Sequence, residues 1–275
     1  MPEGFRGNVW SFTIRVLLTI LLSALFIINT SCSPPNRIDF DGRTITNNLW
    51  GAGPNETINS GIFLNKDETF GWYWERLDPK KKPDETFIIP IYPSVRIGGS
   101  ISMQTNTVFF PIKVGEIKSL NFDIAYKYLK TPEGAYNLAY EMFISSKDQP
   151  ASNLIPEFEV MIWLHSTFPQ PPNTYQGDVS DGINTYELYE WIMRDGRTYA
   201  SFNLKGQPQF QAEHTVDVRR LLDNLTLDSN WYLLGVELGN EVVSGSGKIE
   251  INKLKITLNG AEVKGRITWW QRLFN

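Results

Sequence analysis

The chain has 275 residues, with 26 Lys and Arg against 30 Asp and Glu, for a formal net charge of −4. This mildly acidic balance argues against a nucleic-acid partner, which would require a basic face. The 9 Trp and 11 Tyr residues instead favour a neutral partner that stacks on aromatic rings, such as a sugar polymer. The length allows one large domain held together by its own core.

The N-terminal segment, residues 1–32, has the pattern of an export signal. Arg6 and Arg15 precede the apolar run VLLTILLSALFII (16–28), which is shorter than the roughly 20 residues that span a membrane. The only cysteine, Cys32, lies in the stretch INTSCSPP and resembles a lipidation site. The segment predicts an extracytoplasmic protein, secreted or tethered to the outer face of a membrane. An ordinary cleaved signal peptide and an uncleaved anchor are the alternatives to lipidation.

Beyond residue 36 the hydrophobic pattern alternates with a period of two, which is typical of strands separated by turns. Strands are predicted at 43–51, 69–77, 100–114, 119–129, 135–144, 157–165, 183–193, 198–206, 231–243 and 248–258. The stretch SGSGKIE (244–250) is interpreted as a hairpin turn. So many short strands predict an all-β fold, a β-jelly roll sandwich of two curved antiparallel sheets.

One segment departs from this alternation. In TVDVRRLLDNLTLD (215–228) the leucines recur at mostly helical spacing, and Thr215 or Asp217 could cap the start of a helix. A single helix in such a sandwich is expected on the outer, convex face. The last residues, 261–275, form a predicted tail in which Trp269 and Trp270 pack on the domain, contact ligand or meet a partner.

No metal and no cofactor is expected. The chain has two histidines, His165 and His214, and no cysteine after Cys32. It contains no His-x-His, His-Glu-x-x-His or Cys-x-x-Cys pattern, and these are the spacings that zinc sites use. It also lacks a Gly-x-Ser-x-Gly elbow and a phosphate-binding loop. The alternation of its strand puts His165 on the ligand-facing side near the strand end, where a loop-facing histidine of ordinary pKa is the preferred interpretation.

Carboxylates lie beside aromatic residues on one face of the strand FEVMIWLH (158–165). Successive side chains of a strand point to opposite faces, so Glu159 shares its face with Met161 and Trp163. The aliphatic residues between them form a core face. A charge on an otherwise apolar strand is costly unless it is paired or solvated, which indicates that this face lines a wet groove.

Two further strands repeat this pattern. In WYLLGVELGNEVV (231–243), Glu237 and Glu241 share a face with two glycines, and in the strand at 135–144 Glu141 lies beside small and aromatic residues. Solvent-facing carboxylates are the simpler interpretation of any one strand. Three strands with the same pattern favour a common groove.

These stretches resemble glycoside hydrolase family 12, compact endoglucanases and xyloglucanases with a β-jelly roll. The similar stretches, in order along residues 38–260, are NNLWG (47–51), FGWYW (70–74), YPSVRIGG (92–99), NLAYEMF (137–143), FEVMIWL (158–164), DVRRLLDNL (217–225) and GNEVVSGSG (239–247). The resemblance implies a catalytic jelly roll over residues 33–260.

The resemblance also implies the catalytic residues. Glu159 is the implied nucleophile, Glu241 the implied general acid/base, and Glu141 stands where the family has an Asp that hydrogen-bonds the nucleophile. Retaining hydrolysis places two carboxyls about 5–5.5 Å apart. Because like charges in one cleft cannot all ionise, at least one carboxyl must have a raised pKa, and we assign it to Glu241.

A further set of residues is predicted to contact the sugar. The set comprises Asn48, Trp50, Trp72, Trp74, Met161, Trp163 and Glu237. For each aromatic residue in it, packing in the core is the alternative.

The sequence therefore predicts an exported, monomeric, retaining endo-β-1,4-glucanase that cuts cellulose, mixed-linkage β-glucan or xyloglucan. Its predicted partner is a β-glucan, with no nucleic acid, and with membrane contact only through the N-terminal segment or a lipid anchor. The alternative from another class is a non-catalytic, lectin-like jelly roll, which would not need two opposed carboxylates. A xylanase or a polysaccharide lyase is a third possibility.

Overall fold

A computed structural model of the chain describes residues 36–52, 58–78, 89–149, 154–206 and 209–264. The predicted export segment with Cys32, and Trp269 and Trp270, lie outside the described residues. Within the described ranges, no helix has both the length and the apolar character to cross a membrane.

Seventeen strands form two sheets within the described residues. In chain order they are β1 (Arg37–Phe40), β2 (Arg43–Asn48), β3 (Asn59–Leu64), β4 (Phe70–Leu77), β5 (Tyr92–Gly98), β6 (Ile112–Lys113), β7 (Leu120–Glu133), β8 (Asn137–Ser145), β9 (Phe158–Ser166), β10 (Tyr175–Ser180), β11 (Thr185–Ile192), β12 (Thr198–Leu204), β13 (Gln211–Asp217), β14 (Tyr232–Leu233), β15 (Gly235–Gly239), β16 (Gly245–Leu258) and β17 (Ala261–Glu262).

The larger sheet has the order β1-β2-β5-β15-β8-β9-β12-β11-β10, with β14 and β6 attached beside β8. The smaller sheet has the order β13-β7-β16-β4-β3, and β17 pairs with β16. Neighbouring strands are antiparallel except β9 and β12, which run parallel. The prediction of an all-β, two-sheet sandwich is confirmed, with this one parallel pair as a departure from the expected antiparallel sheets.

The core lies between the two sheets and is built by alternate residues of each strand. From the larger sheet, Val160 and Ile162 of β9 and Val236 and Leu238 of β15 face it, and all four are buried. The other face of the larger sheet carries Glu159 and its neighbours, and we call it the carboxylate face. The period-two pattern of the sequence therefore separates core from site on the same strands.

The one predicted helix is present and is shorter than the segment that predicted it. It spans Val218–Leu222, and the Asp217 side chain caps it by accepting a hydrogen bond from the Arg220 backbone N–H at 3.2 Å. It contacts β7 of the smaller sheet and β10 of the larger, and its leucines are buried. It therefore packs against one strand of each sheet.

Two predicted elements are wrong. Most of 100–114 is not a strand, because side chains there bond the local backbone; Asn106 Oδ1 accepts from the Gly98 N–H at 2.7 Å, for example. Such bonds compete with a strand ladder. SGSGKIE is not a hairpin turn, because β15 before it and β16 after it belong to different sheets. It is a crossover that becomes the start of β16.

The strand predicted at 231–243 is divided between β14 and β15. The predicted tail, 261–275, begins with β17, which pairs with the end of β16, and Val263 after it is buried. The tail thus starts as part of the smaller sheet, and its residues beyond 264 lie outside the described residues.

Candidate active site

Strand β9 presents Glu159 on the carboxylate face together with Met161 and Trp163, as alternation predicts. Glu159 is 7 % exposed, and the other two side chains are also buried. Met161 and Trp163 pack with Ala139 and Tyr199 in a hydrophobic cluster separate from the main core. A second apolar layer therefore surrounds the carboxylate on the outer side of the sheet.

His165 lies on the opposite side from the one predicted. The β8–β9 register pairs Ala139 with Trp163 but Leu138 with His165, so Leu164 is an extra residue in the ladder. Such a β-bulge reverses the alternation beyond it. The His165 ring is buried and stacks on Tyr136, whose hydroxyl lies 2.7 Å from its Nε2. Burial lowers the pKa of His165 to about 4, so a neutral core histidine results.

Four glutamates meet on the carboxylate face, and we call them the carboxylate cluster. Glu159 comes from β9 and Glu141 from β8, where Glu141 lies opposite Glu237 of β15 in the ladder. Glu241 follows the end of β15. Burial raises the pKa of Glu141 well above its usual range, and the charges of the other three carboxylates raise it further. The sequence-predicted catalytic carboxylates are thus close enough to interact electrostatically.

Asn137 holds Glu241 in place from both ends. Its side-chain Nδ2 donates to Oε2 of Glu241, and its Oδ1 accepts from the Glu241 backbone N–H at 2.8 Å. Burial and then the charge of Glu159 raise the pKa of Glu241 to about 7, against the opposing hydrogen bond from Asn137. Glu241 therefore keeps a proton over the acidic half of the pH range, as predicted for a general acid.

Glu159 has a cationic neighbour. The Arg197 Nε lies 3.0 Å from Oε2 of Glu159, and Asp195 lies 3.6 Å from the same nitrogen. Burial raises the pKa of Glu159; the Arg197 charge opposes that rise, Asp195 adds to it, and hydrogen bonding with Glu141 opposes it. The surroundings of Glu159 thus favour its ionised form more than those of Glu241 do.

Glu237 is held by Ser94 and Arg96, two residues of the same face on β5. The Ser94 hydroxyl donates to Oε2 at 3.2 Å, and Arg96 Nε lies 4.0 Å from Oε1. Burial raises the pKa of Glu237, and Arg96 opposes the rise. Glu237 is thus held from the side of β5 by a hydroxyl and a guanidinium.

Two tyrosines complete the polar part of the site. Burial, followed by the charges of carboxylates in the cluster, raises the pKa of both Tyr92 and Tyr199 well above the usual value. Tyr199 lies opposite Glu159 in the β9–β12 ladder, and its hydroxyl donates to Sδ of Met161 at 2.7 Å. Both hydroxyls therefore stay protonated.

An open cavity of about 500 Å³ adjoins Trp163 on the carboxylate face. Gln170 and Asn203 are among its lining residues, and the side-chain oxygens of both, with Oγ of Ser201 on the same face, are buried without a hydrogen-bond partner among the described residues. Buried polar groups are normally paired. A hydroxyl-rich ligand would supply the missing partners.

The predicted sugar contacts divide into two groups. Asn48, at the end of β2, lies opposite Tyr92 on the carboxylate face, and Trp50 beyond it is 67 % exposed. Trp72 and Trp74 are fully buried in the core, so their prediction as sugar contacts is wrong. They belong to β4 of the smaller sheet, and the larger sheet separates them from the carboxylate face.

Trp72 has a different role, which involves a residue that the sequence analysis missed. Its Nε1 donates to Oδ1 of buried Asn240 at 2.7 Å, and Asn240 Nδ2 donates to the Tyr128 hydroxyl at 3.2 Å and to the Asn137 backbone carbonyl. Asn240 precedes Glu241, so this network fixes the Glu241 segment to the core.

Asn137, Arg197 and Tyr199 were also missed. Asn137 shares the parity of Glu141 on its strand, and that signal was present in the sequence. Arg197 lies in the turn between β11 and β12, where strand alternation does not predict the direction of a side chain. Tyr199 became visible only through the parallel pairing of β12 with β9.

The fold and the site together define a jelly-roll sandwich whose open sheet face carries a cluster of carboxylates among aromatic residues, the arrangement of a carbohydrate-cleaving enzyme. Comparison with known families identifies it further: residues 41–259 match the model of glycosyl hydrolase family 12. The chain belongs to this family and is a glycoside hydrolase of the endoglucanase type, so the resemblance recognised in its sequence is confirmed.

Among curated proteins, the chain is 27 % identical over 264 residues to "Endoglucanase S" of Pectobacterium parmentieri, covering 88 % of this chain and 94 % of that protein. It is 25 % identical over 159 residues to "Xyloglucan-specific endo-beta-1,4-glucanase 1" of Phytophthora sojae (strain P6497), covering 55 % and 64 %.

Among solved structures, the family 12 xyloglucanase from Bacillus licheniformis matches with a TM-score of 0.71 at 25 % identity, over 82 % of this chain and 98 % of that one. The endoglucanase cel12A from Rhodothermus marinus matches with a TM-score of 0.66 at 20 % identity, over 82 % and 96 %. The second match shows the shared jelly-roll fold.

Proposed function

We propose that the protein is a retaining endo-β-1,4-glucanase in which Glu159 is the nucleophile and Glu241 the general acid/base. One observation carries the proposal: of two buried carboxyls on the same sheet face, both with a raised pKa, only Glu159 has a cationic neighbour that opposes the rise. Glu159 lies beside a guanidinium, whereas burial and the Glu159 charge raise the pKa of Glu241 to about 7. Double displacement needs such a pair, one carboxyl ionised and one protonated.

In the first step, an Oε of Glu159 attacks the anomeric carbon and the bond from that carbon to the glycosidic oxygen breaks. Glu241 gives its proton to the departing oxygen. In the second step, Glu241 takes a proton from water while the water oxygen bonds to the anomeric carbon, and the Glu159 carboxylate is released. The anomeric configuration is inverted twice and so retained.

Glu141 supports the nucleophile in this scheme. Burial and three neighbouring carboxylates raise its pKa well above the usual range, so it holds a proton, and hydrogen bonding with it lowers the pKa of Glu159. A protonated Glu141 that donates to Glu159 stabilises the ionised nucleophile. This is the role that the family resemblance implies for the position, here filled by a longer side chain than Asp.

The proposed substrate is the interior of a β-1,4-glucan: cellulose, mixed-linkage β-glucan or xyloglucan. The names of the relatives, an endoglucanase and a xyloglucan-specific glucanase, support this range of substrates. Trp50 and Asn48 at one side of the carboxylate face, and Trp163 beside the cavity, are the proposed sugar contacts. Action on an extracellular polysaccharide fits the proposed export of the chain through residues 1–32. Cys32 is the candidate lipidation site.

The full-length chain and its Glu159→Gln variant test the proposal. Reducing-end release is measured on mixed-linkage β-glucan, carboxymethylcellulose, xyloglucan and xylan, with polysaccharide binding followed in parallel. We expect the parent to cleave a β-1,4-glucan with retention, observed by NMR of the first product. The variant should bind but lose several orders of magnitude in kcat.

Two results would overturn the proposal. Binding by the parent without bond cleavage would favour the lectin-like alternative. Undiminished cleavage by Glu159→Gln would move the nucleophile to another carboxylate. Xylan as the preferred substrate would revise the substrate class alone.

A further inference from the structure

The four glutamates of the carboxylate cluster share two arginines. Arg96 faces Glu237 at 4.0 Å, and Arg197 faces Glu159 at 3.0 Å. Among the described residues, no ion pair joins a Lys or Arg to either of the other two glutamates. Two glutamates of the cluster, Glu159 and Glu237, are therefore paired with a cation. The proposed nucleophile belongs to this pair, whereas the proposed acid, Glu241, does not.

We propose that Arg197 is a positioning residue whose charge, at 3.0 Å, keeps Glu159 among the four glutamates ionised for attack. This inference rests on the proposed function, because it assigns a role to Arg197 only if Glu159 is the nucleophile. The carboxylate is 7 % exposed and lies among three others, surroundings that raise its pKa, and the Arg197 charge opposes that rise. Without a cation, such a group would take up a proton.

The chain fixes Arg197 firmly enough for this role. It ends a tight turn in which the Met193 N–H donates to the Arg197 carbonyl at 2.8 Å and the Gly196 N–H donates to the Met193 carbonyl at 3.0 Å. Gly196 has a φ of 94°, a left-handed value that favours glycine. The Arg197 side chain is 18 % exposed, so the guanidinium lies largely out of solvent, where its charge is weakly screened.

The groups facing Glu159 set the sign of the effect. Arg197 opposes protonation of Glu159, and hydrogen bonding with Glu141 opposes it too, whereas Asp195 favours protonation. Glu241 and Tyr199 also lie within electrostatic reach of Glu159. Removal of the Arg197 charge should raise the pH at which Glu159 ionises, and removal of the Asp195 charge should lower it.

The test is the pH dependence of kcat/KM for the parent, Arg197→Gln, Arg197→Lys and Asp195→Asn on mixed-linkage β-glucan, a neutral substrate that does not titrate. The acidic limb of this profile reports the ionisation of the free-enzyme nucleophile. For Arg197→Gln we expect this limb to move to higher pH by about one unit or more, since an opposite charge at this range shifts a carboxyl pKa by roughly 1–3 units. Arg197→Lys keeps the positive charge, so its acidic limb should lie closer to that of the parent. Asp195→Asn should move the acidic limb to lower pH.

The control is Lys205→Gln, which removes an exposed cation paired with Asp178 at 2.7 Å, and its acidic limb should stay in place. An Arg197→Gln profile lowered equally at every pH, with Lys no better than Gln, would overturn the inference and leave a structural role in the turn. If Arg197→Gln fails to fold, Asp195→Asn decides the matter, because an unmoved or raised limb in that variant contradicts the inference. The Glu159→Gln assay separates this outcome from a failure of the proposed function.

Discussion

The two faces of strand β9 in the larger sheet are almost equally buried, yet their side chains differ in chemistry. On β9, Ile162 and Met161 are both 0 % exposed and Glu159 is 7 % exposed. The core face consists of aliphatic and aromatic side chains, such as Ile162 and Phe202. The carboxylate face carries four glutamates with two arginines paired to them, and an open cavity adjoins it at Trp163. Burial alone therefore does not mark the site, and the distinguishing property is buried charge and unpaired polar atoms.

The two faces also differ in how burial affects the stability of the fold. Apolar burial on the core face contributes about 25 cal/mol per Å² to stability. Burial on the carboxylate face costs stability, because it removes charged groups from water. That cost appears as raised pKa values across the carboxylate cluster. Perturbed pKa values of this kind are common at functional sites.

The largest effect is expected for Glu241→Gln, which tests whether the carboxylate face carries the general acid. If the carboxylate face works as proposed, kcat on mixed-linkage β-glucan should fall by about 10²–10⁴-fold, the usual contribution of general acid–base catalysis. The basic limb of the pH–rate profile should disappear with it. The matched control is Glu237→Gln, a buried glutamate of the same face that Arg96 pairs, for which we expect a much smaller loss. Equal losses in the two variants would contradict the assignment of Glu241.

A neighbouring pair of substitutions on β9 compares the faces directly. Ile162→Ala opens a cavity in the core and should lower the free energy of unfolding by about 2–5 kcal/mol, while kcat of the folded enzyme stays near that of the parent. Met161→Ala removes the atom that the Tyr199 hydroxyl contacts and should lower kcat. Denaturant unfolding and kcat are measured on the same preparations. A loss of kcat in Ile162→Ala as large as in Met161→Ala would show that the two faces are not functionally separate.

The smallest expected effect is a shift in pH dependence. Glu241 must be protonated to act as an acid, so with a pKa of about 7 activity should decline as the pH rises through about 7. Asn137 donates to Glu241 and lowers that pKa. Asn137→Ala should therefore raise it and move the basic limb to higher pH, by less than about one unit.

Ser94→Ala is the control for this shift, since Ser94 donates to Glu237 at 3.2 Å. Its basic limb should stay near that of the parent. A basic limb that moves to lower pH in Asn137→Ala would mean that Asn137 positions Glu241 by packing and has no net effect on its proton.

The sequence by itself determined the all-β class and the face of each catalytic candidate. These are local properties, since a period of two along one strand separates Glu159, Met161 and Trp163 from the aliphatic residues between them. Three such strands, with the family stretches, were enough to predict Glu141, Glu159 and Glu241 together.

Only the tertiary structure decided what depends on pairing between distant strands. Trp72 and Trp74 lie on one face of their strand, as two sugar contacts would. Their strand belongs to the smaller sheet, however, so both side chains pack in the core. A bulge at Leu164 turned His165 inward, because one extra residue in a ladder reverses every later side chain. Arg197 came to Glu159 from a turn 38 positions away in the chain, and Asn240 joined Trp72 to Asn137 across the two sheets. Charge pairing and hydrogen bonding act through space, so their partners are settled when the strands assemble.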